Sequence, residues 1–315
     1  MANCWLEGWG DSLIIYMAAA ENQIQSYKLG DFFADNHIPA FMTYYYPRTC
    51  TNSLKKVRET GNRNLVVIDS GAHSFFDRLG VSVVSRQTKK TENKTDLARI
   101  VPAYFERYLS WIEKHFPLID FFVELDLQEV VGQEVIAGFR ERLKTCGFFK
   151  KCITVHHSCN SWTDYERLLG EAQSGYVAIE GLRPNRPVLP YNKFIQRAYQ
   201  EGVRIHGFAM TGLEILKKYP FYSVDSSSWT ASIRYGSIPH YFGDKMGVAL
   251  VGKNQRFVQT VRDPKLHRGR HTNEDSANKL KYGILQYKIF AEQMTKLWKA
   301  RGVDWEKKIK EGKRG

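Results

Sequence analysis

The sequence predicts an α/β fold of the (β/α)8, TIM-barrel type, with inserted loops and a basic C-terminal helical extension. Three observations predict it. Eight short runs rich in Val, Ile, Phe and Tyr recur between Leu13 and Asp225. Most are near-continuously apolar, as strands buried on both faces of a parallel sheet are. Helical patterns separate many of these runs. Three runs also stop on a carboxylate, at Asp69, Asp126 and Asp225, and strand tips are where such barrels carry their chemistry.

In chain order the expected strands are Leu13–Met17, Phe41–Tyr46, Leu65–Asp69, Phe121–Asp126, Ile153–His157, Tyr176–Gly181, Arg204–Met210 and Tyr222–Asp225. The first two carry the weakest pattern. Leu97–His115 reads as a long amphipathic helix. Glu129–Thr145 reads as another, with a basic last turn at Lys144 and a glycine stop at Gly147. Trp162–Ala172 has an N-cap residue in Ser161. Tyr191–Gln200 stops at Gly202, and the short Leu213–Lys218 stops before Pro220. Two segments read as insertions: Asp77–Asp96, polar and basic, and Ser232–Thr272 after the last strand. A long loop after a catalytic strand often serves as a lid or clamp. Asn273–Arg301 reads as a terminal helix. Residues 1–250 therefore form the expected barrel. Residues 251–315 form a basic loop and helix packed on it, not an independent domain.

The chain has 315 residues, 43% hydrophobic and 25% charged, ample for one large core. No run of about 18 apolar residues marks a membrane span, and no signal peptide is read at the N-terminus. Five irregularly spaced cysteines fit reduced thiols in a cytoplasm. Cys146, Cys152 and Cys159 lie near His156 and His157, but their spacing does not match the usual zinc pairs, so no metal is expected. The net charge is +13, and from Lys253 onward seventeen Lys and Arg face seven Asp and Glu. Such a block is the footprint of a polyanion binder. Arg234, Arg262, Lys265, Arg268 and Arg270 are the expected nucleic-acid contacts. The run from Lys307 to Arg314 also reads as a solvated helix and loose tail.

Two carboxylates facing one sugar can break a glycosidic bond through a covalent intermediate, one attacking the anomeric carbon and the other moving the proton of the leaving group. If a second base rather than water resolves the intermediate, one base is exchanged for another. A base in a duplex must first be flipped into a pocket. Asp126 could accept hydrogen bonds from a guanine-like edge, and the main chain at Gly181-Leu182 could approach the base closely. Glu124 shares a strand face with Phe122 and Asp126; it either supports Asp126 or is salt-bridged. His156 and His157 point to opposite faces, and either could enter the pocket. His206 reads as a core or supporting histidine.

These segments, in order from Leu65 to Trp229, resemble the tRNA-guanine transglycosylase superfamily, and more closely its phage-type branch, which places 7-deazaguanine bases in DNA. Asp69-Ser70-Gly71 is similar to the family's Asp-Ser-Gly-Gly segment, and Glu124-Leu125-Asp126 to its guanine-recognising strand. Thr154-Val155-His156-His157 lies where the family has a Gln near the base. Ile179-Glu180-Gly181-Leu182 resembles its Gly-Gly-Leu segment. His206–Glu214 is similar to its Met-Gly-Val-Gly-Thr stretch, and Ser223-Val224-Asp225 falls where it keeps a nucleophilic Asp. The chain departs from the family at Ala72, at the Gln position and at Glu180, and it lacks the Cys-x-Cys-x-x-Cys zinc motif of the bacterial tRNA enzymes.

The resemblance implies Asp225 as nucleophile, Asp69 as acid/base partner, and a base pocket of Asp126, His156, Glu180, Gly181, Leu182, Ser70 and Gly71. It implies no cofactor, a 7-deazaguanine base (a 7-cyano or 7-aminomethyl form) as second substrate, and DNA rather than tRNA as partner, in a host cytoplasm if phage-encoded. An acidic Glu180 could favour a cationic aminomethyl group, or could be turned away. Three other readings share the same features: the same chemistry on tRNA, a retaining N-glycoside hydrolase, and a non-catalytic nucleic-acid-binding subunit.

Overall fold

The computed structural model describes residues 13–59, 64–78, 94–182, 189–235, 237–243, 246–250 and 273–312. Its centre is a closed barrel of eight parallel strands in sequence order: β1 (Ile14–Ala18), β2 (Ala40–Thr43), β3 (Val66–Asp69), β4 (Phe121–Val123), β5 (Cys152–His156), β6 (Tyr176–Ile179), β7 (Arg204–Gly207) and β8 (Ser223–Ser226). The closing pair is β1 with β8, in register Tyr16 to Asp225. All eight expected runs are therefore strands of one (β/α)8 barrel, as the apolar runs predicted. No helix among the described residues is long and apolar enough to cross a membrane.

The helices are α1 (Ala20–Ser26), α2 (Gly30–Asp35), α3 (Pro47–Glu59), α4 (Ala72–Arg78), α5 (Lys94–His115), α6 (Gln128–Val131), α7 (Gln133–Thr145), α8 (Trp162–Glu171), α9 (Tyr191–Glu201), α10 (Leu213–Lys218), α11 (Ala231–Tyr235), α12 (Asn273–Ala300) and α13 (Trp305–Gly312). The expected helix over 129–145 is two helices. Gly132, at φ 88°, lies outside helical space and breaks it. The first expected insertion begins as α4 and ends as the start of α5. The second contains α11 and an antiparallel hairpin, β9 (Ser237–Tyr241) with β10 (Met246–Leu250); its residues 251–272 lie outside the described residues.

Strand alternation divides the core in two. Ile15, Met17, Met42, Ile68, Phe122, Val177, Ile205 and Val224 face outward to the helices. Ile14, Tyr16, Phe41, Val67, Val123, Ile153, Val155, Tyr176 and Ala178 fill the interior, as the two-residue period of a strand requires. α12 completes the ring: Leu280, Ile284, Phe290 and Ala291 are fully buried in the outer core, and Thr295 Oγ1 accepts the amide of Leu13 at 2.6 Å.

The C-terminal segment expected as a loose tail is α13 over most of its length. Ile309, 6% exposed, joins the interior cluster, and Trp305 donates to the Pro220 carbonyl at 2.9 Å. Burying one such Ile is worth about 2 kcal/mol. This helix packs against the N-terminal end of the barrel.

Candidate active site

The same alternation that fills the interior carries polar side chains inward at the C-terminal strand ends. Thr43 lies two residues beyond Phe41, Asp69 two beyond Val67, His157 two beyond Val155, Glu180 two beyond Ala178, and Asp225 two beyond Ser223. Each therefore points to the barrel axis. Asp69 feels the charges of both Asp126 and Asp225, so the three expected carboxylates converge on one mouth.

Asp69 still meets solvent at the mouth, yet it sits deep in the protein. Desolvation pushes its pKa up to about 6, and the charges of Asp126 and Asp225 add to the rise, against hydrogen bonds from the Gly71 amide and Thr43. The Gly71 amide donates to Asp69 Oδ2 at 3.0 Å. Gly71 stands at φ +71°, where a Cβ would lie 2.7 Å from the Tyr45 nitrogen. Only glycine presents that amide without strain. Ser70 is fully buried; its carbonyl accepts from Tyr104 at 2.6 Å, and its hydroxyl makes no hydrogen bond among the described residues.

Asp225 accepts two hydrogen bonds on one oxygen: the Ala209 amide at 2.7 Å and His206 Nε2 at 3.3 Å reach Oδ1. Opposite it, His157 lies between two carboxylates. Its Nε2 pairs with Asp126 Oδ1, and its Nδ1 is 3.3 Å from Glu180 Oε2. Burial works against the charged ring, but the charge and hydrogen bond of Asp126, with those of Glu180, raise His157 to about 10. Burial likewise opposes ionisation of Glu180, but His157 and the Ser158 amide, at 2.7 Å from Oε1, hold it down to about 2. At neutral pH this is a carboxylate–imidazolium–carboxylate triad.

Several expected site residues stand elsewhere or do other work. His156 is not in the pocket. It faces the helices, with ring centroids 5.3 Å from Tyr165 and 4.9 Å from Phe194, and burial lowers it to about 4, helped by the charge of His157. Two successive strand residues cannot share a face, so His157 is the histidine at the mouth. Glu124 does not share a face with Asp126. Glu124 keeps the outward face of Phe122 and makes a bidentate pair with Arg140, at 2.6 and 2.7 Å. β4 ends at Val123, the alternation lapses, and Asp126 turns to the mouth beside His157. The bareness of Gly181 is used by the protein itself: a Cβ there would lie 2.1 Å from the Phe208 carbonyl. Leu182 is half exposed at the mouth. Arg234 is exposed on α11. Arg262, Lys265, Arg268 and Arg270 lie outside the described residues.

One acidic residue escaped the sequence reading. Glu21, fully buried just past β1, accepts the Thr43 amide on Oε2 at 3.2 Å. Burial raises its pKa to about 7, and the charge of Asp69 adds to the rise. It lies on α1, three residues past the end of β1, where no apolar run closes on a carboxylate. Among the described residues, Glu129, His157 and Glu180 place one ligand atom each within 4.8 Å of one another, the one such group that could hold a cation.

The mouth thus joins a carboxyl group poised to give a proton near neutrality, a second carboxylate held by one oxygen, and a charged triad between β4, β5 and β6. That set can perform acid-assisted displacement at an acetal-like carbon. No protein-family model matches the chain, and no curated protein is significantly similar to it.

Proposed function

We propose that this protein is a base-exchange transglycosylase that replaces guanine in DNA with a 7-deazaguanine derivative through a covalent aspartyl intermediate. The observation that carries the reading is the pairing of Asp69 and Asp225 at one barrel mouth, the first raised to about 6 and the second anchored, among the described residues, through Oδ1. The nature of the base and the nucleic acid rests on the resemblance of five segments, in order, to the tRNA-guanine transglycosylase superfamily. The basic block after Lys253 supports a polyanionic substrate.

In this reading a carboxylate lone pair of Asp225 forms a bond to C1′ as the C1′–N bond to guanine breaks. The departing base takes the proton of Asp69. The incoming base gives its ring N–H proton to Asp69 and attacks C1′, and the C1′–O bond electrons return to Asp225. One N-glycosidic bond replaces another, so neither ATP nor a redox cofactor is required. Asp126 accepts from the base edge, with His157 and Glu180 fixing its orientation.

The test is incorporation of labelled guanine and of 7-deazaguanine bases into duplex DNA and, in parallel, into bulk tRNA, with Asp225→Asn as control. Label in DNA that Asp225→Asn abolishes is the expected result. Label in tRNA alone would keep the chemistry and overturn the substrate. Free guanine released without incorporation would make the protein a hydrolase. Nucleic-acid binding with no label from any base and no release would leave a binding protein.

A further inference from the structure

A chain of hydrogen bonds runs from Asp225 down the barrel axis. His206 Nε2 reaches Asp225 Oδ1 at 3.3 Å. Its Nδ1 lies 2.7 Å from Ser223 Oγ. Ser223 Oγ is hydrogen-bonded to the Tyr176 hydroxyl. Every member but Asp225 is almost fully buried, His206 at 1% exposure and Tyr176 at 0%. The ring of His206 stacks on Phe41 at 5.7 Å and 4°, so it cannot turn freely.

Counting hydrogens gives the chain a direction. A carboxylate oxygen only accepts, so His206 Nε2 bears the ring hydrogen. In the neutral ring Nδ1 is then the acceptor, and Ser223 must donate to it. Ser223 has one hydrogen, so Tyr176 must donate to Ser223. Burial pushes the phenol pKa of Tyr176 well up, which keeps it a donor. The second donor to Oδ1 is the Ala209 amide at 2.7 Å, presented by a left-handed backbone at φ 53°. That conformation is uncommon for non-glycine residues. Among the described residues, Asp225 Oδ2 accepts no hydrogen bond.

We propose that His206 is a positioning residue for Asp225: held as its Nε2–H tautomer between the Asp225 carboxylate and the Tyr176–Ser223 donor chain, it shares Oδ1 with the Ala209 amide and leaves Oδ2 as the attacking oxygen. This rests on the transglycosylase reading for the identity of the reaction. When Oδ2 bonds to C1′, Oδ1 becomes the carbonyl oxygen of the ester and keeps both donors. When the C1′–Oδ2 bond breaks, its electron pair returns to the carboxylate and the same two donors receive the charge. No hydrogen need move along the chain in either step; its work is to fix the tautomer.

Two measurements on the full chain test this. Nitrogen NMR of histidine-labelled protein, assigned by His206→Gln, is expected to show the His206 hydrogen on Nε2; a hydrogen on Nδ1 would overturn the proposal. Single-turnover trapping of the covalent adduct, on guanine-containing duplex DNA and on bulk tRNA without an incoming base, reads the function. His206→Phe keeps a ring but donates nothing and is expected to slow adduct formation about a hundredfold, the usual scale for one preorganised donor. His206→Gln, whose amide can reach the Nε2 position, is expected to recover all but about tenfold. Ser223→Ala leaves ring and carboxylate in place but removes the donor to Nδ1, and is expected to slow the adduct by about three- to tenfold. Wild-type rates in His206→Phe or in Ser223→Ala would overturn the assignment. No adduct from the wild-type protein on either nucleic acid would instead defeat the transglycosylase reading, while the tautomer measurement still decides the chain.

Discussion

Glu21 and Asp69 meet at a single residue: the Thr43 amide donates to Glu21 Oε2 at 3.2 Å, and Thr43 is the ladder partner of Asp69 between β2 and β3. Both carboxyls are raised, to about 7 and about 6. Two groups that each resist ionisation, one beside the other, are a means of keeping a proton at the mouth near neutral pH.

The raised pKa of Glu21 has a cost in stability. Its folded value, about 7, exceeds its ordinary value of 4.5, so between these the folded state holds a proton that the unfolded state has lost. Stability therefore falls as pH rises through that window, by about 3 kcal/mol at most. Glu21→Gln keeps an acceptor for Thr43 and cannot ionise. It is expected to raise the melting temperature at about pH 8 and to change it little at about pH 4.5. Melting curves at the two pH values check this; equal shifts at both would remove the buried charge as the cause.

In the proposed reaction Asp69 holds its proton until it protonates the departing base. With a pKa of about 6, the rate of adduct formation is expected to fall about tenfold per pH unit above that value. Asp69→Asn should abolish this limb and slow the step by about a hundred- to ten-thousandfold. A pH series of single-turnover rates for both proteins measures it, and an unchanged limb in the variant would assign the proton to another group.

His157 carries a linkage of the same sign at higher pH. Its folded value, about 10, lies above the ordinary 6.5, so its contribution is complete below about pH 6.5 and is lost as pH rises towards 10. His157→Gln leaves Asp126 and Glu180 without their cation. A loss of about 3–5 kcal/mol is expected at neutral pH, together with disappearance of the wild-type decline between about pH 7 and pH 10. Denaturant titrations across that range provide the readout.

Gly181 joins β6 to the turn that serves Asp225. A Cβ there meets the Phe208 carbonyl at 2.1 Å, one residue before the Ala209 amide that holds Asp225 Oδ1. Gly181→Ala is expected to cost about 1–3 kcal/mol and to slow adduct formation well beyond what lost folding explains. Rates corrected for the folded fraction separate the two; a rate loss matching the unfolded fraction would mean that the turn tolerates the shift.

The eight strands were legible because a parallel barrel buries both faces of each strand, and such runs stay apolar whichever way the residues point. Short helices such as α1, α2 and α4 were not, because a six- or seven-residue element carries too little periodic signal. Strand ends were overextended at Tyr44–Tyr46 and at Glu124–Asp126. Both stretches continue the hydrophobic or acidic pattern after the ladder has stopped. Asp69 and Asp225 stood out as carboxylates closing apolar runs; Glu21 did not, because it lies on α1, where no apolar run closes on a carboxylate.

By itself the sequence determined the barrel, its strand order and the end at which its carboxylates gather, since these follow from periodicity and from chain direction. Tertiary structure alone decided which side chains share the mouth. It turned His156 outward and His157 inward, sent Glu124 to Arg140, spent the space at Gly181 on the Phe208 carbonyl, and set His206 behind Asp225. Those outcomes depend on where strands end and on how distant segments meet. They are fixed by burial and hydrogen-bond satisfaction across the closed sheet, interactions between residues far apart along the chain that a local pattern does not contain.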